Sequence, residues 1–209
     1  MHDMTATEQR VRIDIWSDFV CPFCYVAALN LEPLKARYPL DIRWRACELR
    51  PEGSPPISPA YRHEIETVKR PYFHRVMREQ HGITVNEGPF GINSRPALVM
   101  DKYAEAQGEA QAKAFHEGVK QAYWQQAQDI SDRAVLRAIA ERAGLDGEAA
   151  LAAIDHPQYV ALVDADISEA MSLGLSAVPA LVFASKYLVS GAQPTALLEQ
   201  VIQRVQAET

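Results

Sequence analysis

The chain has 209 residues, 48% of them hydrophobic and 23% charged, with 21 basic against 27 acidic side chains and a formal net charge of −6. That length and composition support a sizeable core without disulfide staples, in one domain carrying an insertion or in two small ones. The acidic balance, with no block rich in Lys and Arg, argues against a general nucleic-acid binder and a polybasic membrane anchor, and no run approaches the ~18 apolar residues of a membrane span. Residues 1–10 are polar, with no apolar leader core. The three cysteines include a single closely spaced pair, unlike a secreted disulfide scaffold. The expectation is a cytoplasmic protein.

Residues 11–19 alternate Val11, Ile13 and Ile15 with Arg12, Asp14 and Trp16, a strand period. Cys21-Pro22-Phe23-Cys24 follows. Residues 22–37 then have a helical pattern, with Leu31, Leu34 and Tyr38 continuing its apolar face and Pro39 ending it. This order puts Cys21 at a helix N-terminus, where free backbone N–H groups and the helix dipole favour a thiolate, the species that attacks a disulfide. Cys24 lies about one turn in, near enough to attack the mixed disulfide and resolve it. Pro22 is tolerated in a first turn, which has no use for its missing N–H.

A C-x-x-C pair also serves as half of a zinc site or as two inert core thiols. The one other cysteine is Cys47, and the six histidines (His2, His63, His74, His81, His116, His156) make no H-x(3–5)-H pair. A four-ligand zinc site therefore lacks its second half, and the strand-then-helix context favours redox chemistry. No metal or organic cofactor is expected, since the two sulfurs carry the electrons.

Residues 40–49 form a second alternating run. Strand, helix and strand at this spacing make a right-handed βαβ unit with parallel strands, and the cysteines fall at the sheet edge where such folds bind ligands. Cys47 is expected to be a buried spectator. Glu48 has two readings, a carboxylate relaying protons beside the thiols or an exposed strand-end residue. Trp16, Phe19, Phe23 and Tyr25 either rim a peptide site or fill the core. Arg43, Arg45 and Arg50 are expected to be solvated, with a glutathione carboxylate as the alternative ligand.

Residues 51–59 hold four prolines and form a loop. Helical patterns then dominate to Gly174. They cover 60–81, interrupted at Pro71; a stretch after Asn93-Ser94, with Ser94 as cap and Pro96 in the first turn; 109–127; a helix from Ser131 or Asp132 to Gly144; a short one from Asp146 to Ile154; and a last one from Pro157. Residues 178–183 form a short apolar strand, Ser185-Lys186 a turn, 187–190 its hairpin partner, and 195–207 a closing helix.

βαβ with C-x-x-C after the first strand, followed by ββα opening on an apolar residue and Pro, resembles a thioredoxin fold. The helical insertion between the halves is similar to the DsbA-like branch. The segments Ile13-Asp14-Ile15-Trp16-Ser17-Asp18, Cys21-Pro22-Phe23-Cys24-Tyr25, Glu48-Leu49-Arg50-Pro51, Asn93-Ser94-Arg95, Val178-Pro179 and Val189-Ser190-Gly191-Ala192-Gln193-Pro194 resemble its FrnE-type disulfide oxidoreductases. Phe23 stands where this family more often has Trp, and Ala177 where it more often has Gly. The resemblance implies an α/β thioredoxin-like domain of residues 11–51 and 175–207 with a helical insertion over 52–174. It implies a thiol–disulfide oxidoreductase or isomerase with Cys21 as nucleophile and Cys24 as resolving thiol. Phe23, Val178 and Pro179 would contact substrate, across a cis Val178–Pro179 bond. The implied partners are protein disulfides or dithiols, with glutathione or another low-molecular-weight thiol also possible by chemistry. The alternatives are a glutathione-dependent transferase or 2-hydroxychromene-2-carboxylate isomerase, whose members usually have Ser at the first cysteine position, and a non-catalytic binding module.

Overall fold

The computed structural model describes residues 10–208, so the reading of the polar first ten residues falls almost wholly outside the described residues. Strand β1 (Val11–Ser17) pairs in parallel with β2 (Leu40–Ala46) across helix α1 (Pro22–Lys35), in the register Ile13 to Ile42 and Ile15 to Trp44. Strand β3 (Ala180–Phe183) runs antiparallel on the other side of β1, and β4 (Tyr187–Ser190) completes a sheet of order β2-β1-β3-β4. Helix α9 (Thr195–Ala207) closes the chain. This is the thioredoxin-like α/β arrangement with helices between its halves that the sequence pattern implied.

Alternation along β1 pointed to one buried and one polar face, yet Asp14 and Trp16 are as buried as Ile13 and Ile15. A second layer covers that face. The Trp16 Nε1–H donates to the Asp166 carbonyl at 2.9 Å, and Asp14 receives the guanidinium groups of Arg12 and Arg45. Both strands also stop earlier than their patterns suggested, because Asp18 and Cys47 enter loops. The hairpin loop spans residues 184–186, the expected Ser185-Lys186 with Ala184 added before them. Ala184 and Ser185 take φ of 49° and 56°, and the Lys186 N–H donates to the Phe183 carbonyl at 2.9 Å. The three-residue loop thus carries two left-handed residues without using glycine.

Between β2 and β3 the chain is helical. α2 (Pro59–Glu64) passes through a π-helical turn (Ile65–Lys69) into α3 (Arg70–His81), so the irregularity expected at Pro71 falls in the turn just before it. The remaining helices are α4 (Arg95–Gln107), α5 (Glu109–Gln125), α6 (Arg133–Arg142), α7 (Gly147–Ala153) and α8 (Pro157–Ser172). The α4 cap differs from expectation, since the side chain of Asn93 rather than Ser94 accepts the Arg95 N–H, at 2.7 Å. Asp132 and Asp146 cap α6 and α7 as anticipated, each such bond contributing about 1 kcal/mol. Gly88 is required by contact, because a Cβ there would stand 2.3 Å from the Gln128 carbonyl oxygen.

Two hydrophobic clusters meet along α1. Leu31 and Leu34 belong to the one formed with the sheet and with Leu198 and Ile202 of α9. Tyr25 and Val26, one to two turns earlier, belong to the other, formed with Phe73, Leu98, Phe115 and Trp124 of the helical block. The cysteine turn therefore adjoins the helical-block cluster at the start of α1, while the later part of the helix packs on the sheet. Among the described residues no helix is long and apolar enough to cross a membrane.

Candidate active site

Cys21 is the N-cap residue of α1. Its backbone is extended (φ −88°, ψ 114°), and its Sγ accepts the Cys24 N–H at 3.3 Å. This places the sulfur among the unpaired N–H groups of the first turn, the arrangement that stabilises negative charge. Cys21 also lies within 3.8 Å of the Val178 carbonyl, to which its S–H donates. Val178–Pro179 is cis. The helix start is buried, with Cys21 4% accessible and Cys24 3%. The residues around Val178 fold back over the cap from 157 positions away, a cover that no local pattern reveals. Both cysteines are free thiols. Burial first, then the neighbouring Cys21, pushes the Cys24 thiol well above the ordinary thiol range. The pair is thus differentiated: one sulfur is stabilised by an N–H donor, and the other is held protonated in the interior.

Phe23 is partly buried, with its ring centroid 6.4 Å from that of Tyr72. A groove of about 530 Å³ begins between these rings and runs along α1, bounded by Val76 and His81 of α3 and by Ala192 and Pro194. Trp16, Phe19 and Tyr25 belong to the core. The arginines considered above divide. Arg43 pairs with Asp41, and Arg50 donates to the Pro55 carbonyl. Arg45 is not solvated as expected, because it bridges Asp14 and Asp166.

Cys47 is half-buried beside Trp16, Ala170 and Val178. Burial and the nearby Asp18, Cys21 and Glu48 push its thiol up to about 11. The Glu48 side chain is 4% accessible and ion-paired with Arg95, which disposes of the exposed alternative.

Asp18 was only part of a motif in the sequence, and the structure gives it a distinct place. Its carboxylate is 1% accessible and accepts the Val20 N–H at 3.2 Å and the Leu49 N–H at 2.7 Å. It thereby ties the loop before Cys21 to the segment that follows β2. Burial raises it to about 6, against those hydrogen bonds. The signal for it was its fixed offset, three residues before Cys21. Among the described residues no group of three or more His, Cys, Asp or Glu has the arrangement of a metal site.

Residues 12–203 match the family described as DSBA-like thioredoxin domain. The chain is similar to the uncharacterized protein YwbO of Bacillus subtilis, 28% identical over 153 residues, covering 71% of this chain and 74% of that protein. Its structure is similar to a probable DsbA oxidoreductase, SCO1869, from Streptomyces coelicolor, with a TM-score of 0.79 and 25% identity over 96% of this chain and 92% of the other. It is also similar in fold to a 2-hydroxychromene-2-carboxylate isomerase, with a TM-score of 0.77 and 22% identity over 93% and 95% of the two chains. With the match extending from the second residue of β1 into α9, the chain belongs to the DsbA-like thioredoxin-domain family.

Proposed function

We propose that the protein is a FrnE-type thiol–disulfide oxidoreductase in which Cys21 attacks and Cys24 resolves. The Cys21 thiolate attacks one sulfur of a substrate disulfide, and the other sulfur leaves as a thiolate. Cys24 then loses its proton and attacks Cys21 Sγ, releasing the second substrate sulfur and leaving a Cys21–Cys24 disulfide. An external dithiol or low-molecular-weight thiol such as glutathione restores the reduced pair. The observation that carries this reading is the N-cap position of Cys21, with its sulfur on the Cys24 N–H and Cys24 itself buried. Val178 offers an extended substrate segment a backbone partner beside Cys21, as in strand addition. Phe23 and the groove it opens suit apolar side chains of a protein substrate. Such an enzyme would work in the reducing cytoplasm, cycling with its thiol pool.

Insulin reduction in the presence of a thiol tests the assignment. Cys21→Ser should abolish turnover, whereas Cys24→Ser should accumulate a mixed disulfide on Cys21. Faster alkylation of Cys24 than of Cys21 would reverse the roles. A glutathione-dependent isomerase would turn over without change in the redox state of the pair, and a binding module would show no turnover.

A further inference from the structure

The second step above has an unmet requirement. The Cys24 proton must leave a sulfur that is 3% accessible and held protonated by its surroundings. Two carboxylates lie near the cysteines. Asp18 has a backbone N–H on each oxygen, and Glu48 pairs with Arg95 through Oε1 while its buried Oε2 has no hydrogen-bond partner. Behind Cys24 lies a cavity of about 10 Å³, roughly the room one water needs, whose walls include Cys24, Asp18, His116 and Lys120. His116 also lines a second cavity of that size and the floor of an open groove of about 460 Å³ between β2 and α5. One imidazole therefore stands between the buried thiol and solvent on the side of the molecule away from Val178.

His116 is built for such a place. Its ring stacks on Trp44 at 4.3 Å between centroids and packs on Phe19 at 4.9 Å, which fixes its plane. Its Nδ1 lies 2.9 Å from Asp101 Oδ2, and the other oxygen of that buried carboxylate has no hydrogen-bond partner. With Nδ1–H donating to Asp101, Nε2 carries the lone pair. Burial lowers the imidazole below its ordinary range against the pull of Asp101, so it is neutral at pH 7 and free to accept. The charged groups around it are Asp18 before α1, Asp101, Lys102 and Glu105 of α4, Glu117 and Lys120 of α5, and Arg45 of β2, with Lys35 of α1, Arg43 of β2 and Glu109 and Lys113 of α5 along the groove. Lys120 is held by Glu117 at 2.8 Å, and Lys102 and Arg45 by Asp166.

We propose that His116, oriented by Asp101, carries the Cys24 proton through the rear of the fold to the groove between β2 and α5. It acts through water rather than on the sulfur itself. The Cys24 S–H gives its proton by way of the small cavity to His116 Nε2. The freed electron pair forms the bond to Cys21 Sγ, and the Cys21–substrate bond breaks with its pair on the substrate sulfur, which is protonated from solvent. The imidazolium, steadied by Asp101, then loses its proton into the groove. The substrate disulfide is the only oxidant.

This inference rests on the redox assignment of the cysteines, and one experiment separates the two. Reduced protein mixed with 5,5′-dithiobis(2-nitrobenzoate) should release coloured thiolate in two phases, first by attack of Cys21 and then by resolution through Cys24. His116→Phe should leave the first phase within about twofold. It should slow the second about a hundredfold at pH 7, the low end of what a positioned acid or base contributes. The deficit should shrink above pH 9, where hydroxide takes the proton. In His116→Ala, added imidazole should restore part of the second phase. Asp101→Asn, which keeps the ring, provides the same pH profile in milder form if the His116 variants do not fold. A second phase slowed equally at all pH values, slowed together with the first, or unchanged, would overturn the relay while leaving the cysteine roles intact. Absence of any first phase in the parent would overturn both.

Discussion

The two sides of the Cys21–Cys24 turn are made of opposite materials. The mouth consists of backbone and apolar groups: the Cys24 N–H, the Val178 carbonyl, Pro179, Phe23 and Tyr72. The rear, along β2, is ionic. Asp166 of α8 accepts from the Ala46 N–H and from Arg45 Nη1, both at 2.9 Å, and lies 3.0 Å from Lys102 Nζ. Lys102 in turn donates to the Trp44 carbonyl at 2.7 Å. β2 is an edge strand, and an unpaired edge invites pairing with another chain. Here two helices occupy its free hydrogen-bonding groups with charged side chains. The contrast teaches a division of labour: the mouth leaves polar backbone near the thiols for a substrate, while the rear uses polar groups up within the fold.

The sharpest way to break that contrast is to remove the hub of the rear. Asp166→Ala leaves Arg45 and Lys102 without their shared carboxylate, and breaking a buried ion pair from one side costs about 3–5 kcal/mol. Urea denaturation should show a loss of that order, with the Cys21 phase of the folded protein unchanged. A loss below 1 kcal/mol would mean the rear network is incidental to stability.

A smaller effect separates Asp18 from both sides by its titration. Its folded-state value of about 6 exceeds the ordinary 3.8, so between those pH values the folded state binds more protons than the unfolded. Asp18 thus favours folding below pH 4, and that contribution is lost as pH rises through 6, by up to about 3 kcal/mol for a shift of two units. The stability difference between the parent and Asp18→Ala should therefore narrow from pH 4 to pH 7. A difference that stays flat or widens would show that the carboxylate is ionised throughout.

Cys47 should produce the smallest change. It packs beside the mouth but remains a thiol at neutral pH. Cys47→Ala should cost about 1 kcal/mol in packing and keep both thiolate-release phases within a few-fold. Mass spectrometry finding Cys47 linked to Cys21 or Cys24 during turnover would make it part of the mouth's chemistry.

The mouth was largely legible in the sequence because its determinants are local. A strand, a cap position, Pro22 and the two-residue spacing suffice to set Cys21 and Cys24 on one helical turn, and Val178-Pro179 was visible as a strand start. The burial of Cys21 was not, since its cover arrives from the other end of the chain. The rear was illegible. His116, Lys120 and Asp101 lie on helices whose patterns announced only amphipathic packing, and Arg45 and Asp166 are 121 positions apart.

The sequence by itself determined the strand–helix alternation, the redox-type cysteine spacing and the breaks at proline and glycine, because these follow from backbone preferences acting over a few residues. The tertiary structure decided which charges are buried and what each one faces. Asp14, Asp18, Asp101 and Asp166 look alike as acidic residues in the sequence, yet each has a different partner set in the fold. A carboxylate's cost and chemistry depend on the groups within a few ångströms of it, and only the packing of distant segments sets those.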